Sequence, residues 1–358
     1  MVSEPLRVAY TVEQCWHPVP GGTATAALAV ARRLVDHPAV ELVGVAGRHR
    51  SPARAPFVPP MPVERLPLGR PWLYETWNRR EWPNVEGATG PIDVCHSTTS
   101  IPAATRSPHV VTVHDLAFVH TPERFTRHGV RAMTAGLERC RRADLVLCPS
   151  AATAADLASA GFDETRLRVV PWGVEARGVD DEDRSRTRRR FDLPDAFVLF
   201  VGTIEPRKNL AALAAAVRRS DYALPLVAAG AVGWGEAAPV ADDVRFLGFV
   251  DDVDLAALYS LATVFAYPSL QEGFGLPVAE AMVHGTPVVT SSGTATEEVA
   301  GGAAVLVDPT DVESIAAGLD DAVGRADELR VAGLRRAAEL TWDATVDATI
   351  EAYRTVAS

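Results

Sequence analysis

Two short stretches of this 358-residue chain carry residue types spaced to hold a phosphate and a polyhydroxylated ligand. The first, VGTIEPRKNL (Val201–Leu210), contains Lys208, the single lysine among 35 basic residues. An apolar run ends at Gly202, and a helix-forming stretch begins at about Asn209. Arg207 and Lys208 are therefore expected at a strand-to-helix turn, where backbone N–H groups and the helix dipole favour anions. A compact ammonium at such a turn suits a phosphate as a point charge. The plain alternative is a stray lysine on a solvated face.

The second stretch is YPSLQEGFGLPVAEAMVHGTPVV (Tyr267–Val289). Its strand leads into a loop containing Gly273 and Gly275, and Pro277 suits the start of the next helix while Gly285 suits its end. Glu280 falls about one turn into that helix, and helical side chains lean toward the N-terminus, so it is expected to point back at the loop that holds Glu272. The amides of Phe274, Gly275 and Leu276 can donate to a ligand that the glycines allow to approach. Two carboxylates and a row of amides suit a polyol. An ordinary capped helix with unremarkable acids would look the same.

Positioning these groups requires strands that end in turns. A short apolar strand, a Gly/Pro/Ser turn and a helix-like stretch recur along the chain: LRVAYTV, VELVGVAG, HVVTVHD and ADLVLCPS in the first half, then FVLFVG, LPLVAAG, VRFLGFV, TVFAYP, TPVVTS and AAVLVD. Such alternation predicts parallel α/β units with helices on both faces. The charged segment 176–196 reads as a linker plus a polar helix. The expected organisation is a domain over 1–175, a second over 176–340, and a C-terminal helix over 341–358 packing back toward the first. Two doubly wound, Rossmann-like domains would face a central cleft, with ligands at the carboxyl ends of the strands.

Composition narrows the classes. Hydrophobic residues make up 47% and charged residues 23%, ordinary for a globular chain. No apolar run reaches the ~18 residues that span a bilayer, and the N-terminus lacks a signal-peptide pattern. The four cysteines show neither zinc-finger nor C-x-x-C spacing. A cytoplasmic chain is the simple expectation. Residues 1–175 carry 19 arginines against 17 acids (net +2), and the remainder 16 basic residues against 29 acids (net −13). No long basic run points to nucleic acid. The mildly basic first half is compatible with an anionic acceptor or with peripheral contact at the inner face of a membrane.

The glutamates eight apart in EGFGLPVAE, the following AMVHGTPVV and the upstream GTIEPRKN resemble the retaining glycosyltransferases of family 4, which have the GT-B fold. PGGTATA, TVHDLAF, CPSAATAADL, VVPWGVE and LGFVDDVDLAALYSLATVFAYPS extend the resemblance over nearly the whole chain. It implies transfer from a nucleotide-sugar donor to a hydroxyl of a glycan, lipid-linked or small-molecule acceptor, with no metal and no further cofactor. By the same resemblance Arg207 and Lys208 match cations on the donor diphosphate, and Glu280 matches the glutamate on the ribose hydroxyls. Glu272, with the amides of Phe274, Gly275 and Leu276, matches the group beside the donor sugar. His114 matches a histidine near the anomeric centre, Gly22 a loop that closes over the phosphates, and Gly248–Val250 the nucleobase slot. Many members carry arginine where this chain has Thr203, so Arg207 is expected to supply the second positive charge. GTIEPRKN resembles stretches of bacterial mannosyltransferases, which tilts the donor toward GDP-mannose.

Three features carry less. DDVD (Asp251–Asp254) contains a literal D-x-D, but it precedes a helix pattern whose start acids cap and complement. His114 ends a strand, where a lone histidine is usually structural. RPWLYETWNRREWP (70–83) gathers aromatics that form either a satellite core or, through Trp72 and Trp77, an acceptor-binding wall. The rival functions are a nucleotide-sugar epimerase or phosphorylase of the same fold and a non-catalytic sugar-binding protein. A dinucleotide oxidoreductase is disfavoured because neither half shows G-x-G-x-x-G after its first strand.

Overall fold

The alternating pattern resolves into two all-parallel sheets, as expected from the sequence. The computed structural model describes residues 4–17, 21–231 and 244–358. Pro20 of the PGG motif lies outside them. The chain divides into two units: Met1–Gly173 with Trp342–Ser358, and Val174–Thr341.

In the first unit the strands are β1 (Leu6–Thr11), β2 (Val40–Ala46), β3 (Val63–Arg65), β4 (Val94–Ser97), β5 (His109–Thr112), β6 (Leu145–Cys148) and β7 (Leu167–Val169), ordered β3-β2-β1-β4-β5-β6-β7. In the second they are β8 (Val198–Val201), β9 (Leu226–Ala229), β10 (Val244–Gly248), β11 (Val264–Tyr267), β12 (Val288–Ser291) and β13 (Val305–Val307), ordered β10-β9-β8-β11-β12-β13. The central strands β4, β6, β8, β9, β11 and β12 are buried at every position. Helices on both faces of a parallel sheet make this necessary, and it explains why the strands read as apolar runs rather than alternating ones. Strand order reverses between β1 and β4 and again between β8 and β11. Loops at the carboxyl ends of strands flanking such a reversal are splayed apart, which opens a crevice for ligands.

The charged segment after the first unit forms the helix Asp181–Arg190. Asp180 caps it, accepting from the Asp183 amide at 2.8 Å, with acids in the first turn and arginines in the last. That distribution complements the helix dipole. Its one buried residue, Thr187, donates to the buried carboxylate of Asp254 at 2.5 Å. Asp254 also takes the Arg190 guanidinium, while Asp251 caps the helix Asp252–Leu261. The acids of DDVD thus cap one helix and pin it to another.

The C-terminal helix Trp342–Ala357 belongs to the first unit, packing on the helix Gly21–Leu34 and on β4 and β5. Its Tyr353 hydroxyl lies 2.6 Å from His96 Nδ1, and Thr345 donates to the Pro171 carbonyl at 2.7 Å. All four cysteines are free and buried, and burial pushes each thiol up to about 12. They behave as core side chains rather than reactive thiols.

Candidate functional site

The loops after β8 and β11, the two strands at the reversal of the second sheet, bring Glu205, Arg207, Lys208 and Glu272 into one charge cluster. After β8 the chain turns through Gly202 and the half-buried Thr203 into a 3-10 turn, Pro206–Lys208. Asn209 then sits in the left-handed region (φ 62°) at the head of the helix Leu210–Val217. Asparagine tolerates that conformation, and here its amide donates to the Pro268 and Pro309 carbonyls at 3.1 and 2.6 Å, tying the β8 loop to the β11 loop.

Lys208 is buried, at 7% exposure, rather than on the open turn that its sequence context suggests. Its ammonium donates to Glu272 Oε1 at 2.5 Å and to the Tyr267 hydroxyl, with the Tyr267 ring centroid 4.9 Å away. Arg207 reaches Glu272 Oε2 at 3.0 Å and Glu205 Oε1 at 2.8 Å. Ser269 donates to Glu272 Oε1 at 2.6 Å. Glu272 is buried, which alone would raise its pKa, but Lys208, Arg207 and Ser269 together bring it down to about 2. Burial in turn lowers the Lys208 pKa, opposed by Glu272. Two cations and two carboxylates therefore make a compensated cluster of no net charge.

Glu280 lies apart from this network. It sits in the helix Leu276–Val283, and it accepts from the Tyr259 hydroxyl at 2.8 Å. Burial raises its pKa, and Asp252 adds to the rise. The two glutamates have different partners and opposite shifts. Gly275, at φ 102°, heads this helix, and a Cβ there would sit 2.6 Å from Thr296 Cγ2, so only glycine fits. Phe274 and Leu276 are buried, and the first amides of a helix lack intrahelical acceptors. Gly248 (φ 69°) closes β10, and its carbonyl accepts from the Gly230 amide at 2.8 Å. Val250 is buried beside the exposed Phe249.

At the reversal of the first sheet a neutral set, Gln14, Thr98 and His114, lies beside Glu13, whose buried carboxylate pairs with Arg70. Thr98, just past β4, receives Gln14 Nε2 on its hydroxyl at 2.8 Å, and its carbonyl lies 2.8 Å from His114 Nε2. A carbonyl only accepts, so Nε2 carries the imidazole proton and Nδ1 keeps a lone pair. Burial lowers the His114 pKa, which keeps the ring neutral at pH 7. Among the described residues neither His114 Nδ1 nor Gln14 Oε1 has a hydrogen-bond partner. The His114 ring lies 5.3 Å from Trp172 and lines a cavity of about 30 Å³ with Tyr10, His96 and Thr349. Gly22 is exposed near the start of the helix Gly21–Leu34.

The two tryptophans of the aromatic stretch part company. Trp77 is 1% exposed and gives its indole N–H to the Pro83 carbonyl, so it is core and cannot line a wall; Trp72 is 69% exposed. The sequence reading missed Glu205, Tyr267, Ser269, Tyr259, Gln14 and Gly230. Only Gly230 left a signal, since LVAAG ends in glycine as FVLFVG does. A Cβ at Gly230 would collide with the Gly202 carbonyl, so the ends of β8 and β9 can approach closely. Among the described residues no helix is long and apolar enough to cross a membrane.

Known proteins resemble this chain in sequence and in fold. Residues 181–333 match the family described as Glycosyl transferases group 1, and residues 20–177 match Glycosyltransferase Family 4. The chain is 34% identical over 269 residues to O-antigen chain mannosyltransferase B of Escherichia coli, covering 68% of this chain and 70% of that protein. It is 35% identical over 272 residues to D-inositol 3-phosphate glycosyltransferase of Thermomonospora curvata, covering 66% of this chain and 62% of that one. Its fold matches HepE of Anabaena, solved in complex with UDP and glucose, with a TM-score of 0.75 at 18% identity, over 98% of this chain and 100% of that one. The likeness in fold, the family matches and the identity to a mannosyltransferase converge: this chain is a glycosyltransferase of the GT-B fold and belongs to glycosyltransferase family 4.

Proposed function

We propose that the chain transfers a sugar, with retention of configuration, from a nucleotide-diphosphate donor to a hydroxyl of a glycan, lipid-linked or small-molecule acceptor. The donor belongs to the second unit and the acceptor to the first. The observation that carries this reading is the Lys208–Arg207–Glu272 cluster between the β8 and β11 loops. A diphosphate can take over the N–H groups that Glu272 holds, and Glu272 is then released toward the sugar hydroxyls. The acceptor oxygen forms its bond to the anomeric carbon on the face from which the diphosphate departs. The anomeric C–O bond breaks with its electron pair going to the diphosphate, and a diphosphate oxygen takes the acceptor proton. Lys208 and Arg207 stabilise the charge that develops there. Glu280, outside the cation cluster, serves the ribose hydroxyls.

The relative named as a mannosyltransferase supports GDP-mannose as the first donor to try. A thermal-shift screen against UDP-, GDP- and dTDP-sugars tests the assignment. A true donor at 100 times its dissociation constant stabilises the protein by about 2.7 kcal/mol. No shift with any nucleotide sugar, together with no turnover, would remove this reading.

A further inference from the structure

Tyr267 is the partner of Lys208 to which the proposed transfer gives no part. It ends β11, it is 1% exposed, and its hydroxyl accepts an N–H of the Lys208 ammonium. The ring is locked from several directions. Phe200 of β8 and Phe265 of β11 stack on it, each with its centroid 5.8 Å away. The Tyr267 carbonyl accepts from the Thr290 hydroxyl at 3.0 Å, which ties the backbone beneath the ring to β12. A ring packed in this way has one place to put its oxygen.

Lys208 is the opposite kind of side chain. Its four-carbon stem is flexible, and an ammonium is a point charge with three rotatable donors. One N–H goes to Glu272 Oε1 at 2.5 Å, one goes to Tyr267, and the third has no partner among the described residues. The two acceptors differ in what they can do. Glu272 sits in a loop, is shared with Arg207 and Ser269, and is the group that the diphosphate displaces in the reading above. Burial pushes the Tyr267 phenol well above its ordinary range, so it stays neutral and does not repel an incoming anion. Once Glu272 leaves, Tyr267 is the acceptor that remains on the ammonium.

We infer that Tyr267 is a positioning residue for the transfer: its hydroxyl fixes the direction of the Lys208 ammonium, so that the other two N–H groups are already aimed when the diphosphate arrives. This inference rests on the reading above that Lys208 binds the donor diphosphate. The hydroxyl carries the role, not the ring. The ring centroid lies 4.9 Å from Nζ, and phenylalanine would keep that cation–π contact and the stacking while losing the oxygen. The chain has no second lysine that could take over.

The single lysine makes the test direct, because the full chain labelled with ¹³C-lysine gives one Cε signal. GDP and UDP are the probes. With the better-bound nucleotide present, the wild-type protein is expected to show two separate Hε proton shifts, the mark of a fixed side chain. In Tyr267→Phe they should collapse into one averaged, narrower signal, and calorimetry should find the nucleotide bound about 3–10-fold more weakly, the loss of one hydrogen bond. Tyr353→Phe removes an equally buried hydroxyl from the first unit and should change neither reading. Separate Hε shifts that persist in folded Tyr267→Phe, or an unchanged affinity, overturn the positioning role. A wild-type chain that binds neither nucleotide removes the diphosphate reading and this inference together; binding that Tyr267→Phe leaves untouched removes this inference alone.

Discussion

The two sheets share the order of their first six strands and the reversal point, yet the groups gathered at the two reversals differ in chemistry. After β8 and β11 lie two cations and two carboxylates that neutralise one another. After β1, β4 and β5 lie Gln14, Thr98 and His114, neutral groups that leave two acceptors without a partner among the described residues, beside the Arg70-paired carboxylate of Glu13. Topology supplies the same crevice twice, and the side chains decide what enters. A compensated cluster can exchange its internal anion for a diphosphate, whereas uncharged acceptors suit hydroxyls. The difference is one of partner, not of architecture.

The largest way to break this contrast is Lys208→Ala. Loss of a charge-assisted bond that tightens in the transition state should lower turnover by about 10²–10³-fold. Because Lys208 is buried against Glu272, the variant should also lose stability, by less than the about 3–5 kcal/mol of a carboxylate stripped of every partner, since Arg207 and Ser269 still hold Glu272. Steady-state kinetics and urea denaturation check both; wild-type kinetics in a folded variant would contradict the assignment.

Glu272→Gln sharpens the same cluster. On the role proposed for Glu272 beside the donor sugar, turnover should fall by about 10²-fold when its charge is lost. The free nucleoside diphosphate should nevertheless bind severalfold tighter, since a competitor for Lys208 and Arg207 is gone. Calorimetry with GDP and UDP reads this, and weaker binding of both would mean that Glu272 does not compete with the diphosphate.

Glu280→Gln should act on binding more than on chemistry, raising donor KM about tenfold for a lost ionic hydrogen bond of about 1.5 kcal/mol. Folding stability at pH 7 should hold or rise, because burial already disfavours the ionised carboxylate. A fall in kcat equal to that of Glu272→Gln would erase the division between the two glutamates.

Acid distinguishes the units more gently. Burial pushes His96 down to about 3 and His109 to about 4, below the ordinary ~6.5. The unfolded chain then binds more protons, so the first unit loses stability as pH falls below ~6.5 toward those values. Glu272 is depressed to about 2, so its contribution to the second unit is lost only as pH falls from the ordinary carboxylate range through that value. Six of the seven tryptophans, Trp16, Trp72, Trp77, Trp82, Trp172 and Trp342, belong to the first unit. Tryptophan fluorescence should therefore report acid unfolding at a higher pH than circular dichroism of the whole chain. Coincident transitions would contradict the difference between the units.

How much of this was legible beforehand varies from residue to residue. The strands could be read because burial on both faces makes them continuous apolar runs, and their glycine ends marked the turns. Lys208, Arg207 and Glu272 could be found because their types are rare or motif-bound. Their mutual pairing could not, since it depends on how far the β11 loop folds back over the β8 turn, which Asn209 fixes through two carbonyls. Tyr267 and Ser269 look like a strand end and a turn serine; only packing reveals them as partners of Lys208 and Glu272. Trp77 and Trp72 are indistinguishable in sequence, and they separate only when a helix turns one inward.

The central claim is that Lys208 and Arg207 supply the positive charge for a diphosphate leaving group in a retaining transfer. Incubating the protein with its nucleotide-sugar donor and acceptor in excess EDTA, and reading the anomeric signal of the product by NMR, tests this most directly. Undiminished transfer of an α-linked donor sugar into an α-linked product is the predicted result. A strict requirement for Mg²⁺ or Mn²⁺ would contradict the role given to the two cations, and a β-linked product would contradict retention.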